Sequence, residues 1–173
     1  VGSNNESQLL MRISLIDKHP ILRKGLALLL DSYFLNVQLT ESEDLTSYSE
    51  CISKPGCDIV IIGLSNESLD IDFPLIKKVM LENPGTNFII YAETAQRAVA
   101  VNSLIFGVKG YILKNCDLNE VVKCINAVNE GKWYISSEAI PSTMIQNQLA
   151  QVDPRTKSLR GLSGPDKSGI TPV

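Results

Sequence analysis

Asp58-Ile59-Val60-Ile61-Ile62-Gly63-Leu64 is the stretch that decides how this chain folds. Four consecutive β-branched residues favour a strand. A strand without polar alternation is covered on both faces, as in a parallel sheet held between two layers of helices. Outward on the C-terminal side, Leu75, Ile76, Val79 and Met80 recur at helical spacing and stop at Asn83-Pro84-Gly85. Phe88-Ile89-Ile90-Tyr91 is the next buried strand, and Ala98, Val101, Leu104 and Ile105 predict a helix with Gly107 in its C-terminal turn. Gly110-Tyr111-Ile112-Leu113 reads as a further strand. Asp117-Leu118-Asn119-Glu120 is a capping box for a helix carrying Val121, Val122, Ile125 and Val128 to Gly131.

The N-terminal side repeats the pattern. Ile13, Leu15 and Ile16 form a strand closed by Asp17-Lys18-His19-Pro20, and the proline suits the first turn of a helix bearing Leu22, Leu26, Leu29 and Leu30. Val37 and Leu39 alternate with polar neighbours, as on a strand near an edge, and Asp44 can cap a helix with Leu45, Tyr48 and Ile52 on one face, ended by Pro55-Gly56. Strand and helix thus alternate five times. This order predicts an α/β fold with a doubly wound parallel sheet, (βα)5, in three αβα layers. A working site belongs at the C-terminal ends of the strands.

The domain so delimited covers residues 11–137, behind an N-terminal extension of residues 1–10. Residues 138–173 are rich in Pro, Gly, Ser, Thr and Gln; they allow a short helix around Ile145 to Val152 but no second core, and read as a linker or tail. With 44% hydrophobic residues the 173-residue chain can build a core. A formal charge of −3 provides no basic footprint for nucleic acid. No apolar run approaches the roughly 20 residues that cross a bilayer. Cys51, Cys57, Cys116 and Cys124 show neither CxxC nor zinc-like spacing and read as reduced thiols of a cytoplasmic protein.

At the strand ends the chain presents Asp17-Lys18, Gly63, Ala92 and Lys114. Asp17-Lys18-His19-Pro20 with Leu22-Arg23-Lys24-Gly25-Leu26 and Leu29-Leu30, taken with Gly107-Val108-Lys109-Gly110-Tyr111-Ile112-Leu113-Lys114, resembles the receiver (CheY-like, flavodoxin-like) domain of LuxR/NarL-type response regulators. The resemblance runs from about Met11 to Ser136. It implies a two-component signalling domain in which two acidic residues after the first strand and an aspartate after the third hold Mg²⁺. That aspartate accepts a phosphoryl group, a Ser or Thr after the fourth strand and a Lys after the fifth bind it, and an aromatic residue in the fifth strand follows the change.

This chain departs from that pattern at most of those positions. Asp17 matches the first acidic position, but Lys18 occupies the second, Gly63 stands in place of the phosphoacceptor and Ala92 in place of the hydroxyl; Lys114 and the switch aromatic Tyr111 remain. With no acceptor carboxylate there is no nucleophile, and one carboxylate beside a lysine should bind Mg²⁺ weakly or not at all. No other cofactor is expected. Asp17 and Lys114 are read as an ion pair across the strand ends. Asp58 begins the strand at the wrong end, whereas Asp70 and Asp72 lie on the correct side as a displaced acceptor. His19 suits a helix start, and Trp133 an anchor after the last helix.

The leading expectation is a non-enzymatic pseudo-receiver that acts in signal transduction or transcriptional regulation as a homodimer or with a partner protein. Its contacts would be made through the last helices and fifth strand, where Ala100, Ser103, Asn119, Lys123 and Asn126 are candidates. DNA contact would fall to a domain outside these residues. One alternative is the receiver of a LuxR-type DNA-binding regulator still phosphorylated at Asp70 or Asp72. Another is a flavodoxin-like cofactor binder, although the first loop has no glycine- or hydroxyl-rich phosphate cradle.

Overall fold

The computed structural model describes residues 10–50, 56–66 and 72–139. The extension before residue 10, the tail from residue 140 with the helix read around Ile145 to Val152, and Cys51, Ile52, Pro55 and Asp70 lie outside the described residues.

The chain alternates β1 (Met11–Ile16), α1 (Pro20–Tyr33), β2 (Val37–Ser42), α2 (Leu45–Glu50), β3 (Ile59–Leu64), α3 (Phe73–Glu82), β4 (Asn87–Ala92), α4 (Arg97–Ile105), β5 (Gly110–Leu113), α5 (Leu118–Asn129) and β6 (Tyr134–Ile135). The six strands among the described residues are all parallel, in the order β2-β1-β3-β4-β5-β6. The β-branched run of β3 lies in the middle, paired through Ile62 to Ile16 of β1 and to Ile90 of β4. Side chains alternate across the sheet, so each strand feeds two cores. Ile13, Leu15, Ile61, Ile89 and Ile112 pack under α1 and α5 with Leu26, Leu30, Val121 and Ile125. Ile16, Val60, Ile62, Phe88 and Ile90 pack on the other side with Ile76, Val79, Ala100 and Leu104 of α3 and α4. Close approach of α5 to β5 requires Gly110, where a Cβ would lie 2.7 Å from Ile89 Cγ1 and 2.9 Å from Cys124 Sγ.

Local chemistry sets the helix starts. Pro20 opens α1. Asp44 accepts from the Ser47 amide at 2.7 Å before α2, Asp72 from Leu75 at 2.8 Å before α3, and Asp117 from Glu120 at 2.8 Å before α5.

Four expectations need correction. A sixth strand follows α5, two residues long, which is too short to leave a periodic signal; the (βα)5 core is otherwise as read. The buried stripe of α4 is Ala100, Ser103 and Leu104, while Ala98 and Ile105 face outward. The Ser103 hydroxyl donates to the Val99 carbonyl at 2.7 Å, so a residue that reads as polar is satisfied within the core. Ala100 and Ser103 are therefore not surface positions, and of the five interface candidates Asn119, Lys123 and Asn126 are exposed. Leu29 of α1, read as part of its core stripe, is half exposed.

Candidate functional site

The parallel register carries the C-terminal ends of four strands to one rim. Ile16 lies level with Ile62, Gly63 with Tyr91, Leu64 with Ala92, and Ala92 with Leu113. The next residues on are Asp17 and Lys114, whose amide donates to the Ala92 carbonyl at 2.7 Å. Asp17, Gly63, Ala92 and Lys114 thus converge by sheet geometry alone.

Asp17 is the centre of the arrangement. It is 5% exposed, and its Oδ2 accepts from Lys114 Nζ at 2.6 Å. Its Oδ1 accepts from the His19 amide at 2.8 Å and lies 3.0 Å from His19 Nδ1. Such an i→i+2 bond is the habit of Asp in a turn. Arg23 donates to the Asp17 carbonyl. Glu93 Oε1 lies 4.0 Å from Lys114 Nζ, and Glu93 Oε2 accepts from the Asn66 amide at 2.8 Å. Gly63 sits against the carboxylate: a Cβ built there would lie 1.8 Å from Asp17 Oδ2 and 2.5 Å from Cγ. The Asp17 side chain therefore occupies the space into which a β3 side chain would project.

Burial raises the Asp17 carboxyl pKa. The Lys114 hydrogen bond, the His19 amide, the Lys114 charge and the His19 ring oppose it, and the net position is below the ordinary value. A carboxylate whose pKa is lowered on folding stabilises the fold above its unfolded pKa, and that contribution is lost as pH falls through the folded value. Thermal melts of the native chain and of Asp17→Asn should therefore differ fully above about pH 5, begin to converge near about pH 4 and meet only below the lowered folded pKa. A gap that stays constant from neutrality to acid would show that the charge on Asp17 contributes nothing.

Of the other residues singled out, Lys18 is exposed at the start of the loop. Tyr111 is fully buried beneath a cleft lined by Leu64, Ser65, Asn66, Ala92, Glu93, Thr94, Gln96 and Val99. Among the described residues its hydroxyl has no partner at good hydrogen-bond geometry, and burial, the larger effect, raises its pKa against a lowering from the nearby Gln96 backbone. Asp72 caps α3, and Asp58 is held at the opposite end of β3 by Arg12, which takes both of its oxygens at 2.9 and 3.2 Å. Trp133 packs half-buried against the α3/α4 core. Sequence reasoning missed His19 and Glu93 as partners. The spacing Asp17-x-His19 is a legible signal for the first, while the second follows only from register.

No family model matches the chain. The transcriptional regulatory protein YhcZ of Bacillus subtilis, itself uncharacterized, is 28% identical over 167 residues, 94% of this chain and 75% of that protein. The transcriptional regulatory protein MctR of Rhizobium johnstonii is 25% identical over 89% of this chain and 72% of its own length. The oxygen regulatory protein NreC of Staphylococcus epidermidis is 24% identical over 76% of this chain, which spans 61% of that relative. Among solved structures, the isolated REC domain of RcsB from Salmonella enterica serovar Typhimurium with phosphomimetic BeF3− superposes with a TM-score of 0.65 at 23% identity, covering 76% of this chain and 96% of that one. A LuxR family DNA-binding response regulator from Silicibacter pomeroyi gives 0.65 at 14% identity, covering 76% of this chain and all of that one. The fold is that of a response-regulator receiver, and the resemblance to LuxR/NarL-type regulators read from the two motifs is borne out. No helix among the described residues is long and apolar enough to cross a membrane.

Proposed function

We propose that this chain is a pseudo-receiver of the LuxR type, a module of signal transduction or transcriptional regulation that works by binding a protein and not by aspartyl phosphorylation. The observation that carries this reading is the Asp17 carboxylate lying where a Gly63 side chain would be. A receiver's nucleophile would have to grow from that position, and here its space is taken and its neighbours are already paired.

The residues also do not fit the Mg²⁺ that the fold family implies. Among the described residues, Asp17 offers the one carboxylate at the ends of β1 and β3. Its Oδ2 is held by an ammonium, and its Oδ1 by His19. Lys114 supplies at 2.6 Å the positive charge that a cation would bring, so a second cation would meet repulsion and too few oxygen donors. Among the described residues no three His, Cys, Asp or Glu side chains gather in a metal-binding group. The cap formed by Asp72 on α3 engages the one described carboxylate weighed as a displaced acceptor.

The relatives named as transcriptional regulators support an output in transcription. The structures of DNA-binding response regulators support placing DNA contact in a separate domain. Asn119, Lys123 and Asn126 on the outer face of α5 are positions open to a partner.

Intact-mass analysis after incubation with Mg²⁺ and acetyl phosphate tests the reading. The expected spectrum is unmodified protein under conditions that label an ordinary receiver. A single adduct labile to base or hydroxylamine would overturn it, and peptide mapping to Asp70 or Asp72 would identify a displaced acceptor.

A further inference from the structure

We propose that the cleft above Tyr111, at the C-terminal ends of β3 and β4, is a binding site for a primary carboxamide, the group that ends a glutamine or asparagine side chain and many small amides. The inference goes beyond the proposed function by giving the fold a ligand of its own, and it does not rest on loss of the phosphoacceptor.

Tyr111 is 0% exposed and forms part of the cleft lining, yet among the described residues its hydroxyl has no partner at good geometry. A buried hydroxyl left unpaired costs the folded chain free energy, so it calls for a partner from outside. The Gln96 backbone approaches the oxygen, which leaves the O–H proton as the side without an acceptor. Ala92 beside it carries no polar side chain, and Leu64 and Val99 give the walls apolar surface. The space measures about 240 Å³ with its open mouth included, below the roughly 300 Å³ at which sites for drug-sized ligands begin. A flavin or a nucleotide is too large for it, whereas a group of a few heavy atoms fits.

The polar atoms of the walls select the chemistry. Glu93 Oε2 accepts from the Asn66 amide at 2.8 Å, and Oε1 lies 4.0 Å from Lys114 Nζ, where charge is felt but no hydrogen bond is made. That ammonium is held by Asp17 at 2.6 Å. Carboxylate oxygens have two lone pairs each, so Glu93 retains capacity for a further donor. Asn66 Oδ1 accepts from the Thr94 hydroxyl at 2.6 Å, which ties the wall after β3 to the wall after β4. The described lining residues include no Lys, Arg or His. An anion would satisfy Tyr111 but meet the like charge of Glu93. An ammonium or guanidinium would satisfy Glu93 and leave Tyr111 unpaired. A primary carboxamide answers both, its carbonyl oxygen accepting from Tyr111 and its NH₂ donating to Glu93.

Amide-resolved NMR titration of the full 173-residue chain with acetamide tests the site. Saturable shifts are expected at the Asn66, Glu93, Thr94 and Gln96 amides, half-complete near about 10 mM, the weak affinity of a ligand with so few atoms. Acetate and methylammonium each carry one half of the recognition and should need at least about ten times more. Tyr111→Phe should melt with the native chain, because the hydroxyl it loses pairs with nothing in the fold, and should weaken acetamide about tenfold. Glu93→Gln keeps an acceptor for the Asn66 amide and should weaken acetamide about fivefold. A glutamine-centred tripeptide blocked as acetyl and N-methylamide separates the two sources of the group. Tighter binding than acetamide at the same amides assigns the site to a partner's side chain, and equal or weaker binding assigns it to a free metabolite. Absence of saturable shifts at those amides would overturn the proposal. So would equal responses to acetate and methylammonium, or acetamide binding that survives Tyr111→Phe unchanged. A clearly lower melting temperature for Tyr111→Phe would also sink it, by showing the hydroxyl already partnered in the fold. Acetyl phosphate labelling is read separately, by mass, so the two readings fail independently.

Discussion

Gly63→Ala is expected to lower the melting temperature by about 10 °C, a loss of about 3 kcal/mol for a domain of this size. A single added methyl in a packed interior ordinarily costs about 1–3 kcal/mol, because neighbours shift a few tenths of an ångström. Here the neighbour cannot yield so little: the new carbon would lie 1.8 Å from Asp17 Oδ2, 2.5 Å from Cγ and 2.9 Å from Cβ. The Asp17 side chain has to rotate away, and with it goes the 2.6 Å contact to Lys114. The same geometry governs Gly63→Asp, the substitution that would rebuild an acceptor on paper. It should be at least as destabilised as the alanine variant, since it adds a second carboxylate beside the first. It should gain no phosphoryl adduct from acetyl phosphate and Mg²⁺. Scanning calorimetry with intact-mass analysis reads both consequences. A Gly63→Asp protein that melts with the native chain and takes up phosphate would mean that the rim still holds a working receiver site lacking one group, and the pseudo-receiver reading would fall.

Much of this was legible before the structure, and the exceptions have physical reasons. The strands at the centre were readable because burial on both faces leaves an uninterrupted apolar signature: Ile59 to Ile62, Phe88 to Tyr91, Gly110 to Leu113. The face of α4 was not, because Ser103 bonds to Val99 within its own helix and so enters the core without an apolar side chain. Two-residue β6 carries no period at all. At the rim, position at the strand ends and resemblance together picked out Asp17, Gly63, Ala92 and Lys114, and the ion pair between the first and last followed from charge. What the sequence could not show was occupancy. A glycine at the acceptor position reads as a missing group, whereas the structure shows the space beside it taken by Asp17. Asp72 had a second signal beside its place after β3. Its place ahead of Phe73-Pro74 is a helix start, and the carboxylate weighed as an acceptor is a cap.

The Asp17–Lys114 pair should show the thermodynamic signature of a buried ion pair. Both side chains are more than nine-tenths buried, and the contact joins the ends of β1 and β5, which are not neighbours in the sheet. Lys114→Met removes the ammonium and leaves the carboxylate in a dry site with only His19 and the Arg23 region beside it. Such an uncompensated charge is expected to cost about 3–5 kcal/mol. Asp17→Asn keeps the shape, so the His19 amide retains an acceptor, but it strands Lys114 with Glu93 at 4.0 Å as its nearest counter-charge; about 2–3 kcal/mol is expected there. The double variant Asp17→Asn/Lys114→Met buries no net charge at the pair. It should lose less than the two single losses added together, by about 2–3 kcal/mol. Urea unfolding of all four proteins measures the cycle. Strict additivity would mean that the two groups do not sense each other, and that the lowered Asp17 pKa has its source in His19 alone. A coupling of the expected size would instead show that Lys114 is permanently engaged, with its charge committed to Asp17 and withheld from any incoming phosphoryl group. Under the proposed pseudo-receiver reading, that commitment leaves the surfaces of the fold for binding.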